Sequence, residues 1–109
     1  MPIDDWPDDA DGDVLRRMRS RGFDFSKEHV IDFNVDFDDW PPAFEAMRAL
    51  QGAFPGASVY EDADSEDRFV LFKIKSVLTY ELVVNTQARA TGLVQKYGGR
   101  CESWGVLHD

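Results

Sequence analysis

The clearest pattern in the chain is a strict alternation of apolar and polar side chains within His29–Phe37. Because successive side chains of a β-strand point to opposite faces, this period of two gives the segment one apolar and one polar face. Branched and aromatic residues also suit a half-buried, pleated surface. The pattern predicts a strand at the centre of a sheet, with these alternating positions: Ile31, Phe33, Val35 and Phe37 on one face, and Asp32, Asn34 and Asp36 on the other.

A helical pattern precedes this strand, and its apolar positions are Val14, Leu15 and Met18. The acidic stretch Asp8–Asp13 before it and the arginines toward its end suit the helix dipole, and Gly22 is a typical stop. The same aspartates resemble part of a calcium-binding loop. However, the first and twelfth positions of such a loop would hold proline and methionine, where carboxylates are needed. We therefore predict a helix capped by aspartate.

A second helix is predicted after the strand. Asp38 or Asp39 would cap it, and Pro41 and Pro42 would lie in its first turn, where a missing N–H costs little. The run Phe54–Gly56 would end it. The predicted apolar stripe is typical of a helix face buried in a core. It consists of Trp40, Phe44, Met47, Leu50 and Phe54.

Two further strand patterns, Ala57–Tyr60 and Arg68–Lys75, are joined by the acidic turn Glu61–Asp67. Alternation in the longer one again predicts two faces. The apolar face carries Val70, Phe72 and Ile74, and the other face carries Phe69, Leu71, Lys73 and Lys75. We expect the two strands to form a hairpin.

The segment Thr79–Tyr97 fits a third helix, although Tyr80–Val84 alone would also suit a strand. The longer window decides for a helix, because apolar residues keep to one helical face and Gly98–Gly99 supplies a stop. The last strand is predicted at Arg100–His108, with Gly105 as a bend or bulge.

After an opening helix, the elements follow the order βαββαβ. This order predicts an α+β, ferredoxin-like fold with a four-stranded antiparallel sheet of strand order 4-1-3-2 and an extra N-terminal helix. The six side chains expected to meet the two long helices are Ile31, Phe33, Val35, Val70, Phe72 and Ile74. On the other face, Phe69 and Leu71 need cover, and we expect the first helix to supply it through Val14, Leu15 and Met18. Without that helix, the patch would mark an interface.

Length and charge narrow the class of protein. At 109 residues and 43% hydrophobic residues, the chain suits one globular domain, predicted at residues 8–109 after an acidic tail at residues 1–7. The net charge is −9. An acidic field repels phosphate and attracts basic protein surfaces, so we expect a basic protein partner and no direct nucleic acid. The acids concentrate in two places: Asp4, Asp5, Asp8, Asp9, Asp11 and Asp13, and Glu61, Asp62, Asp64, Glu66 and Asp67.

The apolar runs are too short to span a bilayer, and the acidic N-terminus has no signal-peptide pattern, so no membrane contact is expected. The single cysteine, Cys101, allows no internal disulfide, and we expect a cytoplasmic protein. His29 and His108 would lie near each other at strand ends, and either could pair with Cys101. Zinc sites need three or four ligands, and no residues of the chain have the spacing of such a ligand set. We expect no metal, no cofactor and no catalytic residue.

The segment Gln95–Val106 resembles the closing motif of the RraB family, regulators that inhibit ribonuclease E. This motif is a helix ending near an aromatic residue, a short turn, and an acidic strand that reaches Trp104-Gly105. Asp11–Leu15 followed by Gly22 is similar to the opening helix of the family. The strand and helix start within Val30–Trp40 are similar to its first βα unit.

The resemblance implies a non-catalytic, acidic binding protein that contacts a basic, largely disordered part of ribonuclease E and lowers its activity on RNA. The residues expected to bind the partner are Glu61, Asp62, Asp64, Glu66, Asp67 and Trp104, with the N-terminal aspartates second. Three alternatives stay open: a small-molecule-sensing regulatory domain of the same topology, an enzyme using the histidines and Cys101, and a scaffold or antitoxin-like partner of another basic protein. The oligomeric state is also open, because the second and fourth strands are sheet edges.

Overall fold

The computed structural model describes residues 6–64 and 66–106. The predictions that fall on Asp4, Asp5 and His108 lie outside the described residues. Within these ranges, no helix combines the length and the apolar character needed to cross a bilayer. The elements are α1 (Ala10–Ser20), β1 (Glu28–Phe37), α2 (Phe44–Ala53), β2 (Ser58–Glu61), β3 (Arg68–Val77), α3 (Tyr80–Val94), a 3-10 turn (Gln95–Tyr97) and β4 (Gly99–Val106).

The four strands form one antiparallel sheet in the order β2-β3-β1-β4. This order, read from the other edge, is the predicted 4-1-3-2, and it confirms the predicted α+β fold. β1 is central, and Phe33 lies opposite Phe72 of β3 and Trp104 of β4. The alternation of β1 follows from this position, because one face is covered by helices while the other is not.

The core lies between one sheet face and the helices α2 and α3. The ring of Phe72 stacks on Phe33 and on Phe54, with centroid distances of 5.2 and 4.0 Å. Of the six strand side chains predicted to meet the helices, Ile74 is half-buried, and the other five are at most 1% exposed. Each fully buried side chain of this size stabilises the fold by about 1.5–3 kcal/mol. The prediction of the buried face is therefore confirmed.

The first helix packs on the same side of the sheet as α2 and α3. Leu15 is fully buried in the shared core, and α1 lies against α3. The carboxylate of Asp11 accepts hydrogen bonds from Gln87 of α3 and Trp104 of β4. The prediction that α1 covers Phe69 and Leu71 is wrong, because these bonds and the burial of Leu15 fix α1 on the helix side.

The second helix begins later than predicted. Its first residue is Phe44, and its N-cap is Ala43, which makes no side-chain capping bond. The predicted caps are wrong: Asp38 instead pairs with Arg100 at 2.8 Å. The buried residues of α2 are Ala46 and Leu50, whereas Phe44, its first residue, is 71% exposed although the stripe placed it in the core.

The other helix ends follow the sequence signals. Asp9 accepts from the Gly12 amide at 2.8 Å, and Thr79 accepts from the Leu82 amide at 3.0 Å, which caps α1 and α3. Gly22 and Gly98 have φ values of +83° and +77°. Glycine adopts this left-handed conformation without the steric cost that a Cβ would add, which confirms both predicted stops.

The last strand contains a β-bulge. The register of β4 against β1 shifts beside Glu102, which is the extra residue. At this point the Cys101 amide donates to the Thr91 hydroxyl of α3 at 2.9 Å, so the N–H remains satisfied. The bend or bulge predicted at Gly105 is wrong, because Gly105 continues the regular pairing opposite Asp32.

Candidate protein-binding surface

The acidic turn between β2 and β3 projects from the end of the hairpin. Its backbone is closed by the Asp62 amide, which donates to the Asp67 carbonyl at 3.1 Å. The Asp64 amide donates to the Asp62 carboxylate at 2.9 Å. Asp62 is half-buried, and the other acids of the turn are exposed. The turn is thus shaped by its own hydrogen bonds and leaves Asp64 and Glu66 exposed.

The exposed acids of this turn include Asp64 and Glu66. Within residues 6–64 and 66–106, Asp64 and Glu66 make no ion pair. Glu61 accepts a hydrogen bond from the Trp40 indole at 3.2 Å, and the Arg68 guanidinium lies 6.0 Å from the Trp40 ring centre. The Trp40 ring thus lies near both Glu61 and Arg68, which are opposite each other in the register of β2 and β3. The turn therefore presents at least two exposed negative charges, which makes it a candidate contact for a basic partner.

An aromatic pair lies on the helix-free face of the sheet beside this turn. Tyr60 of β2 stacks on Phe69 of β3 with ring centres 4.7 Å apart and planes 16° apart. Tyr60 is 43% exposed. Lys73 of the same face lies opposite Asp32 in the register, as expected from the alternation. Tyr60 leads directly into the acidic turn, and we call these neighbouring residues the acidic–aromatic patch (Tyr60, Phe69, Glu61, Asp62, Asp64, Glu66 and Asp67).

Trp104 lies apart from this patch. It belongs to β4, at the other edge of the sheet, and shares the core face with Phe33. Its half-buried indole donates to Asp11 Oδ1 at 2.9 Å, while Gln87 donates to Asp11 Oδ2 at 3.1 Å. The structure gives Trp104 an intramolecular role and does not bring it together with the acidic turn.

The described N-terminal aspartates are also largely used within the chain. Asp9 caps α1 and accepts from the Tyr80 hydroxyl. The Tyr80 bond, with the Gly12 amide second, lowers the pKa of Asp9, and the same bond to Asp9 raises the pKa of Tyr80. Asp13 pairs with Arg16 at 2.6 Å. These carboxylates anchor α1, which leaves the β2–β3 turn as the better candidate for an external partner.

The structure separates the cysteine and histidine considered for chemistry. Cys101 is buried opposite Val35, six positions along β1 from His29, a spacing of about 20 Å in a strand. Burial, with a smaller contribution from Asp36, raises the pKa of the Cys101 thiol to about 12. His29 Nε2 lies 2.9 Å from the Asp24 carbonyl oxygen. No group of three potential metal ligands occurs among the residues that the structure describes.

A shallow groove of about 550 Å³ is the feature closest to a small-molecule site. Its cation Lys96 lies over the Tyr97 ring at 5.2 Å, and the remaining lining residues are Ala49 of α2, Gly92, Leu93 and Gln95. A specific small-molecule site needs a few polar groups converging in an enclosed space. This groove is open and carries one cation, Lys96, so it gives no support to the sensor alternative.

Sequence reasoning identified the acidic turn but missed its aromatic neighbours. Tyr60 was assigned only to a short strand, and Trp40 was assigned to the core stripe of α2. The available signal was the placement of Phe69 on the polar strand face, where an aromatic residue needs a partner. That partner is Tyr60 of the adjacent strand.

The model of a family described as "Regulator of ribonuclease activity B" matches residues 8–106. No curated protein matches the chain.

Proposed function

Since the chain belongs to the RraB family, the regulators of ribonuclease activity B, we propose that it binds a basic region of ribonuclease E and lowers the activity of that enzyme. The protein performs no reaction of its own in this proposal and acts by occupying its partner. The β2–β3 turn carries the contact through Glu61, Asp62, Asp64, Glu66 and Asp67. The non-catalytic, basic part of the ribonuclease is the proposed binding region.

The observation that supports this proposal is the exposed turn itself. It holds Asp64 and Glu66 exposed, and neither makes an ion pair within residues 6–64 and 66–106 of a protein whose net charge is −9. Opposite charges across an interface raise the association rate and select partners by sign, and salt screens this attraction over about 10 Å at 0.1 M. Binding should therefore be fast at low salt and weaken steeply as salt is added.

The test measures binding of the full chain to the non-catalytic region of ribonuclease E, together with RNA cleavage by the whole enzyme, over a series of salt concentrations. The test variant is Asp64→Asn/Glu66→Gln. The control is Glu45→Gln/Glu81→Gln, which removes two exposed carboxylates from helices and changes the net charge equally. We expect about tenfold weaker binding for the turn variant, mainly from a slower association rate, and little change for the control.

The proposal fails if the ribonuclease region does not bind at low salt. It also fails if binding and inhibition do not depend on the salt concentration, or if the two double variants lose affinity equally. Equal losses would mean that the overall charge matters and the turn does not.

A further inference from the structure

We propose that the outer edge of β2 docks an extended, basic polypeptide segment of the partner, which adds to the sheet as a fifth strand. This inference rests on the proposed function and specifies how the acidic–aromatic patch would hold its partner. The observation behind it is the exposure of the whole edge strand: all four residues of β2 are exposed, with Val59 at 46% and Tyr60 at 43%.

The two edges of the sheet differ in how they resist strand addition. β4 has the bulge at Glu102, and Arg100 on that strand pairs with Asp38 at 2.8 Å and with Glu102 at 3.1 Å. Bulges and charges of this kind prevent another chain from pairing with an edge. β2 pairs regularly with β3 and contains no bulge, proline or lysine. Its outward backbone groups are available to an added strand.

The side chains of β2 suit such a strand on both faces. Val59 lies on the side of the sheet that faces the helices, yet it remains nearly half exposed, so a residue added beside it would bury apolar surface. On the other face, Tyr60 is held flat against Phe69. A flat, fixed aromatic ring is a favourable surface for the stem and guanidinium of an arginine.

The negative charge of the acidic turn determines which kind of molecule can bind at the outer edge of β2. The acidic turn begins directly after β2, so a strand added at this edge runs beside its carboxylates. A second copy of this chain would bring another net charge of −9 to the same edge and be repelled. A basic segment is attracted instead. Strand addition also requires a peptide backbone with alternating N–H and C=O groups, which RNA does not have.

The experiment measures amide hydrogen exchange of the full chain, free and with the shortest synthetic peptide from the basic region of ribonuclease E that still binds at low salt. We expect the outward-pointing amides within Ser58–Glu61 to exchange about tenfold more slowly with peptide, while the amides of β4 do not change. Salt-sensitive contact through the turn alone would leave β2 exchange unaltered.

Proline substitutions test the same point through affinity. Neighbouring amides of a strand point to opposite edges, so one of Ser58→Pro and Val59→Pro removes an outward N–H and spares the ladder with β3. The variant that keeps the wild-type melting temperature should bind the peptide about tenfold more weakly. If neither variant folds, hydrogen exchange alone decides.

Three results overturn the inference. In the first, the peptide binds and its binding depends on Asp64 and Glu66, but the amide exchange of β2 does not change. This result refutes strand addition and leaves the proposed function in place. Protection of β2 that appears without peptide and grows with protein concentration makes a second copy the occupant. A peptide region that does not bind at low salt removes the proposed function, and this inference with it.

Discussion

The substitution Asp11→Ala should loosen the attachment of α1 to the rest of the fold. Asp11 is the only acceptor that the structure gives to the Trp104 indole N–H within the described residues, and it also binds Gln87. Gln87 is 8% exposed and retains a second bond to the Val83 carbonyl at 3.2 Å. The variant thus leaves the indole N–H of Trp104 on β4 without its acceptor. It also removes one of the two acceptors of the Gln87 side-chain amide on α3.

The expected cost follows from these two bonds. A hydrogen bond to a charged group contributes about 1.5–3 kcal/mol, and both bonds here are partly open to water, so we assign about 1 kcal/mol to each. The free energy of unfolding should fall by about 2 kcal/mol, which corresponds to a melting temperature lowered by about 9 °C in a chain of this length.

The measurement is urea unfolding followed by tryptophan fluorescence and by circular dichroism. Asp13→Ala is the matched control, because it changes the same residue type in the same helix turn but breaks only a solvent-exposed pair with Arg16, which is worth little. Trp104→Phe keeps most of the ring and removes the N–H. It should lower stability less in the Asp11→Ala background than alone. Equal effects of Asp11→Ala and Asp13→Ala would refute the anchoring role of Asp11.

Three further predictions concern the core and the helix anchor. Because the folded pKa of Asp9 is below its ordinary value of 3.8, its bond with Tyr80 stabilises the fold above that pH and is lost as the pH falls through the folded pKa. Tyr80→Phe should therefore flatten the acid side of a melting-temperature profile against pH, and an unchanged slope would count against the bond. The Cys101 thiol, with a pKa of about 12, should resist a thiol reagent at pH 8 until the protein unfolds, whereas fast labelling under native conditions would contradict its burial. Gly99→Ala should destabilise by about 1–3 kcal/mol in urea unfolding, because an added Cβ would lie 2.6 and 2.7 Å from side chains of α3 and β1; Gly105→Ala, with open space around it, should be nearly neutral.

The candidate site could be predicted only in part from the amino-acid sequence. A cluster of acids between two strand patterns predicts an exposed turn, because such residues are almost never buried without partners. The hydrogen bond of Trp104 could not be predicted from the sequence, since its partner Asp11 lies 93 positions away. The stacking of Tyr60 on Phe69 also depends on which strands pair and in which register.

Local periodicity and local backbone chemistry determined much of the fold. The alternation of His29–Phe37 required a strand covered on one face, and the order of the elements required β1 to lie inside the sheet. Asp9, Thr79, Gly22 and Gly98 act within a few residues of themselves, so their roles as caps and stops could be inferred without knowing the rest of the structure.

Tertiary contacts decided the features that involve distant parts of the chain. The apolar stripe of α1 would suit either sheet face, and the burial of Leu15 together with the long-range bonds of Asp11 places the helix beside α3. Asp38 could cap α2 or pair with Arg100, and the sheet register brings the arginine to it. The bulge at Glu102 depends on a hydroxyl of α3 that satisfies the neighbouring amide. In each case the local sequence allows more than one arrangement, and contacts with residues far along the chain select one of them.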